Sequence, residues 1–427
     1  MDSGLTKYRS ALDKLFARTG STARFGLDRT KSLLSLLGNP HERVRSFHVA
    51  GTNGKGSVVA MLDTLLRAKG ISVGRYTSPH LVDFRERIVV NGEEIGEQEI
   101  LDFIARWETD FERLGATFFE ITTALALEHF ASRKVDVAVI ETGLGGRLDS
   151  TNVITPLVAG VTSIGMDHVE YLGDSLASIA AEKAGIFKRG VPAVFGPVRE
   201  AAREALLTIA ARAGAEPIFE STELYRPENI RVDWSGTTFE VEHHGEVGTL
   251  TTALVGEPQA INTCTALAML DAAGDPYRTT LAAAADLLPS VTLPGRFQRA
   301  RGGKVILDVA HNPDGIRALA SSLATVAPPR PIVAVIGILR DKDWRQMMRA
   351  LCPVVDATIV TRPASAPPTR VWDPAEALKY GIENGWRVSL SEDVRQAMEQ
   401  AAGKAATVVV TGSFHTVGDA TLFGGLA

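Results

Sequence analysis

The sequence runs to 427 residues, 45% apolar and 22% charged, with a formal net charge of −5. That length exceeds one ordinary core and predicts two domains, and the mildly acidic balance excludes a nucleic-acid surface, which would be basic. The two cysteines, Cys264 and Cys352, lack metal-type spacing, and Cys264 sits among small and apolar neighbours, so it reads as a packing thiol.

Residues 1–15 mix charges with leucines at helical spacing and show no apolar leader. The longest apolar stretches, such as residues 332–339, are far shorter than a bilayer span. A reducing, cytoplasmic setting with no membrane partner is therefore expected. Short β-branched runs at 47–50, 135–140, 157–161 and 193–195 are each followed by glycine-containing turns and helical patterns. This alternation predicts an α/β fold with a mostly parallel sheet covered on both faces.

The run 47–50 leads into Gly51-Thr52-Asn53-Gly54-Lys55-Gly56-Ser57, and an amphipathic helix follows over 58–68. A strand, a glycine loop and a helix N-terminus suit a triphosphate: backbone N–H groups approach its oxygens and the helix end adds partial positive charge. Lys55 is placed to reach the terminal phosphates and Ser57 to ligate Mg2+. The spacing is not the general Walker one, because Gly56 stands between Lys55 and Ser57. Glu141 closes the run 135–140, so it falls at a strand's carboxyl end, where open α/β sheets bind ligands.

From 229 to 255 the pattern changes to alternating Thr, Val and charged residues, read as antiparallel strands at one edge of the first domain. Breakers at Pro289 and Pro294-Gly295 follow an Ala-rich helical run and place a boundary near 287–296, giving domains 1–290 and 291–427. A second βα series then begins, with strand candidates at 304–309, 332–337, 357–360 and 407–411. Residues 362–368 hold Pro363, Pro367 and Pro368 and read as a surface loop. Asp341-Lys342-Asp343 reads either as a solvated loop or as a candidate binding group.

The loop Gly51 to Ser57 resembles that of the Mur-ligase superfamily, and its Gly-Lys-Gly-Ser ending resembles folylpolyglutamate synthase/dihydrofolate synthase. Further blocks fit the same family in order. They are Gly26-Leu27-Asp28-Arg29, Thr77-Ser78-Pro79-His80-Leu81, Phe118-Phe119-Glu120, Glu141-Thr142-Gly143-Leu144-Gly145-Gly146-Arg147-Leu148-Asp149, Asp167-His168, Glu182-Lys183-Ala184-Gly185-Ile186, Pro294-Gly295-Arg296-Phe297 and Asp308-Val309-Ala310-His311-Asn312-Pro313.

The resemblance implies a P-loop ATPase-like N-terminal domain and a Rossmann-like C-terminal one. It implies an ATP-dependent ligase that adds L-glutamate to dihydropteroate, to reduced folates, or to both, through an acyl phosphate. A Mur-type ligase acting on another carboxylate, and a polyglutamylase lacking dihydrofolate synthase activity, are the alternatives. A peptidoglycan-type ligase would be expected to carry a further substrate domain ahead of the phosphate loop.

The family pattern implies ATP contacts at Gly54, Lys55, Gly56, Ser57, Asn262, Arg296, Asp308 and His311. It implies two Mg2+ ions held by Ser57, Ser78, Glu141 and His168, with Lys55, Lys183, His168 and Arg296 in catalytic roles. The lysine matching Lys183 is carbamylated in the family, and a partly buried lysine has the lowered pKa that CO2 addition needs. The pterin site is implied at Ala23, Arg24 and Phe25, at Thr117, Phe118, Phe119 and Glu120, and at Leu148, Asp149 and Ser150. The enzyme is expected to be a monomer with small-molecule partners only. Two departures stand out: Pro258 precedes Gln259 where a His is usual, and Gly412-Ser413-Phe414-His415 replaces an apolar-aromatic version, expected only to repack the last strand.

Overall fold

A computed structural model describes residues 3–18 and 26–424. The first large sheet is built from β1 (Ser46–Ala50), β2 (Val73–Tyr76), β3 (Ile88–Val90), β4 (Glu93–Glu94), β5 (Val137–Glu141), β6 (Val158–Val161), β7 (Ala193–Phe195) and β8 (Ile218–Glu220). Its order is β4-β3-β2-β5-β1-β6-β7-β8. The strands from β2 to β8 run parallel, while β3 and β4 add an antiparallel edge.

Every residue of β1 and β5 is buried. Helices cover both faces, which is why these strands read as continuous apolar runs rather than alternating ones. The helices Lys55–Ala68 and Pro258–Ala273 close one face with Val58, Met61, Leu62, Leu267 and Met269. On the other face Phe118–Ser132 packs Ile121, Leu125 and Phe130 against Tyr76 and Ile140.

Residues 226–252 form β9 (Arg226–Asp233), β10 (Gly236–His243) and β11 (Glu246–Thr252), an antiparallel sheet of their own. These are the antiparallel strands expected from the alternation, and they form a sheet separate from the parallel one. Phe239, Val241 and Leu250 face the helix Pro258–Ala273 and share its core, so this sheet caps a helix layer rather than extending the parallel sheet.

The second large sheet contains β12 (Gln298–Ala300), β13 (Val305–Leu307), β14 (Ile332–Ile336), β15 (Ala357–Val360), β16 (Val388–Leu390) and β17 (Thr407–Thr411). Its order is β12-β13-β17-β14-β15-β16, parallel except for β12. Separate apolar clusters fill its two faces. The chain is thus a two-domain α/β protein in which both sheets present strand carboxyl ends, the usual ligand edge of such sheets. Among the described residues no helix is long and apolar enough to cross a membrane.

Candidate active site

Three carboxyl ends of the first sheet meet at one cavity of about 520 Å³. Past β1 comes the glycine loop; past β5, Glu141 and its glycines; past β6, Asp167 and His168. The second domain closes the cavity with Arg296, His311, Lys342 and Phe414.

The loop starts its helix at Gly54, the N-cap residue, whose φ of 87° belongs to the left-handed region. A Cβ there would collide with Asn262 Oδ1, so glycine is required twice over. Lys55 Nζ donates to the Gly51 carbonyl at 3.1 Å and lies 3.9 Å from Glu141 Oε1.

Glu141 is buried and accepts one long bond, 3.3 Å, from the Ser78 amide. Burial pushes its carboxyl up, with Lys55 and then the Ser78 amide opposing. A buried carboxylate so lightly partnered suits a hard divalent ion that completes its neutralisation, and Ser78 stands beside it.

His168 fits a metal less directly. Its Nε2 accepts from Lys342 Nζ at 3.3 Å, so the lone pair is engaged in this arrangement. Burial and Lys342 pull the imidazole down to about 4.

Lys183 lies buried in the helix Leu176–Ala184 and donates to the same Gly51 carbonyl at 2.9 Å. Burial, followed by Lys55, lowers its ammonium to about 7.

The other wall is aromatic. Phe118, Phe119 and Glu120 form the first turn of Phe118–Ser132, with Thr117 as N-cap. As neighbours on a helix the two side chains diverge by roughly 100° around its axis. Phe118 stacks on Phe16 and carries the Arg87 guanidinium 5.1 Å over its face, while Phe119 lies against Gly143, where a Cβ would strike its ring.

Glu120 closes a capping box, its Oε2 accepting from the Thr117 amide at 2.8 Å, and its Oε1 meets Arg29 at 2.8 Å. Asp149 is likewise occupied. One oxygen takes the Gly143 and Leu144 amides at 2.9 and 2.8 Å, and the other takes Thr151. Both acids reach the wall together with Leu148 and Ser150, but Asp149 shapes the glycine loop rather than offering a free polar group.

Several expected ligands stay out of the cavity wall. Ser57 is buried inside the helix, and Asn262 donates to Gln259 Oε1 at 2.9 Å behind Gly54. Asp308 turns both oxygens to backbone, taking the Phe297 amide and the Ala310 amide at 2.9 Å each. Its place is beneath Arg296, whose guanidinium lies 5.5 Å over the Phe414 ring. Ala23, Arg24 and Phe25 lie outside the described residues.

Gly412, Ser413, Phe414 and His415 line the cavity, so this block does more than repack β17. Sequence reasoning also passed over Arg87, hidden in the charged run Asp83-Phe84-Arg85-Glu86-Arg87, and over Asn53. The side chains of Asn53 and Asn312 exchange hydrogen bonds across the domains at 3.3 and 3.0 Å. Lys342, readable as part of a solvated loop, is buried.

Comparison with known proteins fits this geometry. The Mur ligase middle domain matches residues 49–270, and the Mur ligase glutamate ligase domain matches 295–414. The chain belongs to the Mur ligase family. This Mur ligase is 38% identical to the dihydrofolate synthase/folylpolyglutamate synthase of Mycobacterium tuberculosis, over 93% of this chain and 90% of the relative. The Escherichia coli enzyme of the same name is 36% identical over 97% of this chain and 94% of its own. The M. tuberculosis folylpolyglutamate synthase complexed with ADP superposes with a TM-score of 0.90 at 36% identity, covering 99% of each chain. E. coli FolC in complex with DHPP and ADP gives 0.86 at 34% identity, covering 97% of each. As a Mur ligase of this branch, the chain is an ATP-dependent, amide-forming enzyme.

Proposed function

We propose that this ligase adds L-glutamate to dihydropteroate, to reduced folates, or to both, using ATP. The carrying observation is that one cavity joins a phosphate loop to an aromatic wall: Lys55 and Glu141 lie at one end, Phe119 and Arg87 at the other.

ATP lies with its phosphates at Gly54 to Lys55, and the acceptor's flat ring lies against Phe119. The acceptor carboxylate attacks the γ-phosphorus and the bond to ADP breaks. The glutamate nitrogen then attacks the acyl carbon, phosphate departs, and an amide remains. Lys55 and Arg296 bear on charge developing around the transferred phosphoryl group. Lys342, His311 and Arg370 line the second-domain side, where the amino acid enters. Walls drawn from both domains exclude water that would hydrolyse the acyl phosphate.

Mg2+ would be held by Glu141 and Ser78, with Ser57 and His168 as further ligands once Lys342 releases the imidazole. It would supply charge neutralisation at the phosphates. Lys183, neutral in part at about 7, is set to take up CO2 as a carbamate. We take 1–290 and 291–427 as the working domains. We take the enzyme to act as a monomer, with the described cavity wall drawn from both domains of one chain, and a cytoplasmic site of action fits folate chemistry.

Phosphate release from purified protein, ATP and Mg2+ tests the reading, with each acceptor present and L-glutamate added or withheld. Release should require acceptor and glutamate together. Release with reduced folate but not dihydropteroate would mark a polyglutamylase alone. Release only with a different carboxylate would mark another Mur-type ligase and reject the proposal.

A further inference from the structure

Far from the cavity in sequence, the β10–β11 hairpin brings His243 and His244 to Asp271 of the helix Pro258–Ala273. One ligand atom from each lies within 4.8 Å of the others. Among the described residues no other three His, Cys, Asp or Glu side chains meet so closely.

The hydrogen bonds around this cluster settle which atoms are available. His243 Nδ1 stands 2.9 Å from the Leu224 carbonyl, which can only accept, so Nδ1 carries the hydrogen. In the neutral ring that leaves a lone pair on Nε2. Nε2 faces Asp271 Oδ2 at 3.5 Å, an acceptor toward an acceptor. Asp271 Oδ1 is already taken by Arg278 Nε at 2.6 Å, so Oδ2 is the oxygen turned to the histidines.

The Tyr225 ring stacks on His243 at 3.9 Å between centroids and 9° between planes, which fixes the imidazole. His244 lies beside it at 4.1 Å, exposed to solvent. An imidazolium–carboxylate pair would close to the usual ~2.7–2.9 Å and would give His244 no part.

We propose that His243 Nε2, His244 and Asp271 Oδ2 form a binding site for a divalent transition metal. Zn2+ suits it best, since two imidazoles and a carboxylate oxygen with water in the remaining position are ordinary zinc ligands. The Leu224 carbonyl and Arg278 act as the outer partners that orient such ligands. Bound metal would clip the hairpin to the helix that carries Asn262 behind the phosphate loop.

The test is calorimetric titration of the metal-free full chain with ZnCl2, in excess Mg2+ to occupy the nucleotide site. One saturable equivalent per chain and a raised melting temperature are expected. His244→Asn keeps a residue tolerant of the left-handed backbone there (φ 52°) and should weaken Zn2+ binding at least about tenfold. Asp271→Asn should do the same, and ligase turnover should be unchanged in His244→Asn. Co2+ should give a visible absorption band in the wild type that His244→Asn lacks. No saturable uptake, or equal uptake by wild type and both variants, would overturn the proposal.

Discussion

Lys342 of the second domain reaches Asp167 of the first, with Nζ 2.5 Å from Oδ1, and both side chains are buried. Asn312 adds a bond to Asp167 Oδ2 at 3.1 Å, so the pair sits in a polar seam between the domains. Burial alone would raise the Asp167 carboxyl, but Lys342, His168 and His311 outweigh it and hold it well below the usual carboxylate range. Its stabilisation is therefore present above the ordinary carboxylate pKa and lost as pH falls below it. Lys342→Met strands a buried carboxylate and should cost up to roughly 3–5 kcal/mol, less if Asn312 and His311 compensate. Denaturant unfolding should show this loss, with the acid-side decline beginning at higher pH than in wild type. An unchanged midpoint at neutral pH would mean that the seam does not hold the domains.

Lys55 should be needed for turnover more than for folding. It points into the cavity, its carbonyl partner Gly51 is also served by Lys183, and its nearest acid is 3.9 Å away. Lys55→Ala should lower kcat by roughly a hundredfold or more, the scale for losing one preorganised donor to a charged transition state. Circular dichroism should stay that of wild type. Normal kcat in this variant would remove the loop from the chemistry.

The parallel sheets and the phosphate loop were legible because buried strands read as unbroken apolar runs and because Gly54 and Lys55 sit next to one another in sequence. Glu141 was legible for the same reason, as the acid that ends such a run. What escaped was polarity assembled across the chain. Arg87 hides in a run of alternating charges that looks solvated, yet it is buried over Phe118. Lys342 becomes a buried residue only because a partner 175 positions away in sequence meets it. Asp149 and Asp308 were read as ligands, but each folds its carboxylate back onto nearby amides, a use that sequence spacing does not reveal. The strands β9, β10 and β11 were legible as strands, but the helix they pack on was not, since alternation shows a half-buried strand without showing what buries it.

Lys183 gives a pH prediction. Its ammonium is lowered to about 7 by burial and then by Lys55. Only the neutral amine adds CO2, so a carbamate should form above that pH and be lost as pH falls below it. In isotope-labelled bicarbonate, NMR should show a carbamate signal absent from Lys183→Met. Removing the second cause, in Lys55→Met, should raise the lysine's pKa and move the onset to higher pH. An onset unmoved by Lys55→Met would show that this neighbour does not set the titration.

The acceptor wall can be tested apart from the phosphate end. Phe119 offers a flat face whose position is set by Gly143, because any Cβ there would strike the ring. Stacking of a planar heterocycle on such a face is worth about 1–3 kcal/mol. Phe119→Ala should therefore raise the acceptor KM roughly tenfold or more while the KM for ATP stays near that of wild type. Gly143→Ala should act in the same direction by tilting the ring, and combining the two should cost less than the sum, since the added methyl has nothing to displace once the ring is gone. A change in the KM for ATP with the acceptor KM intact would put the heterocycle elsewhere in the cavity.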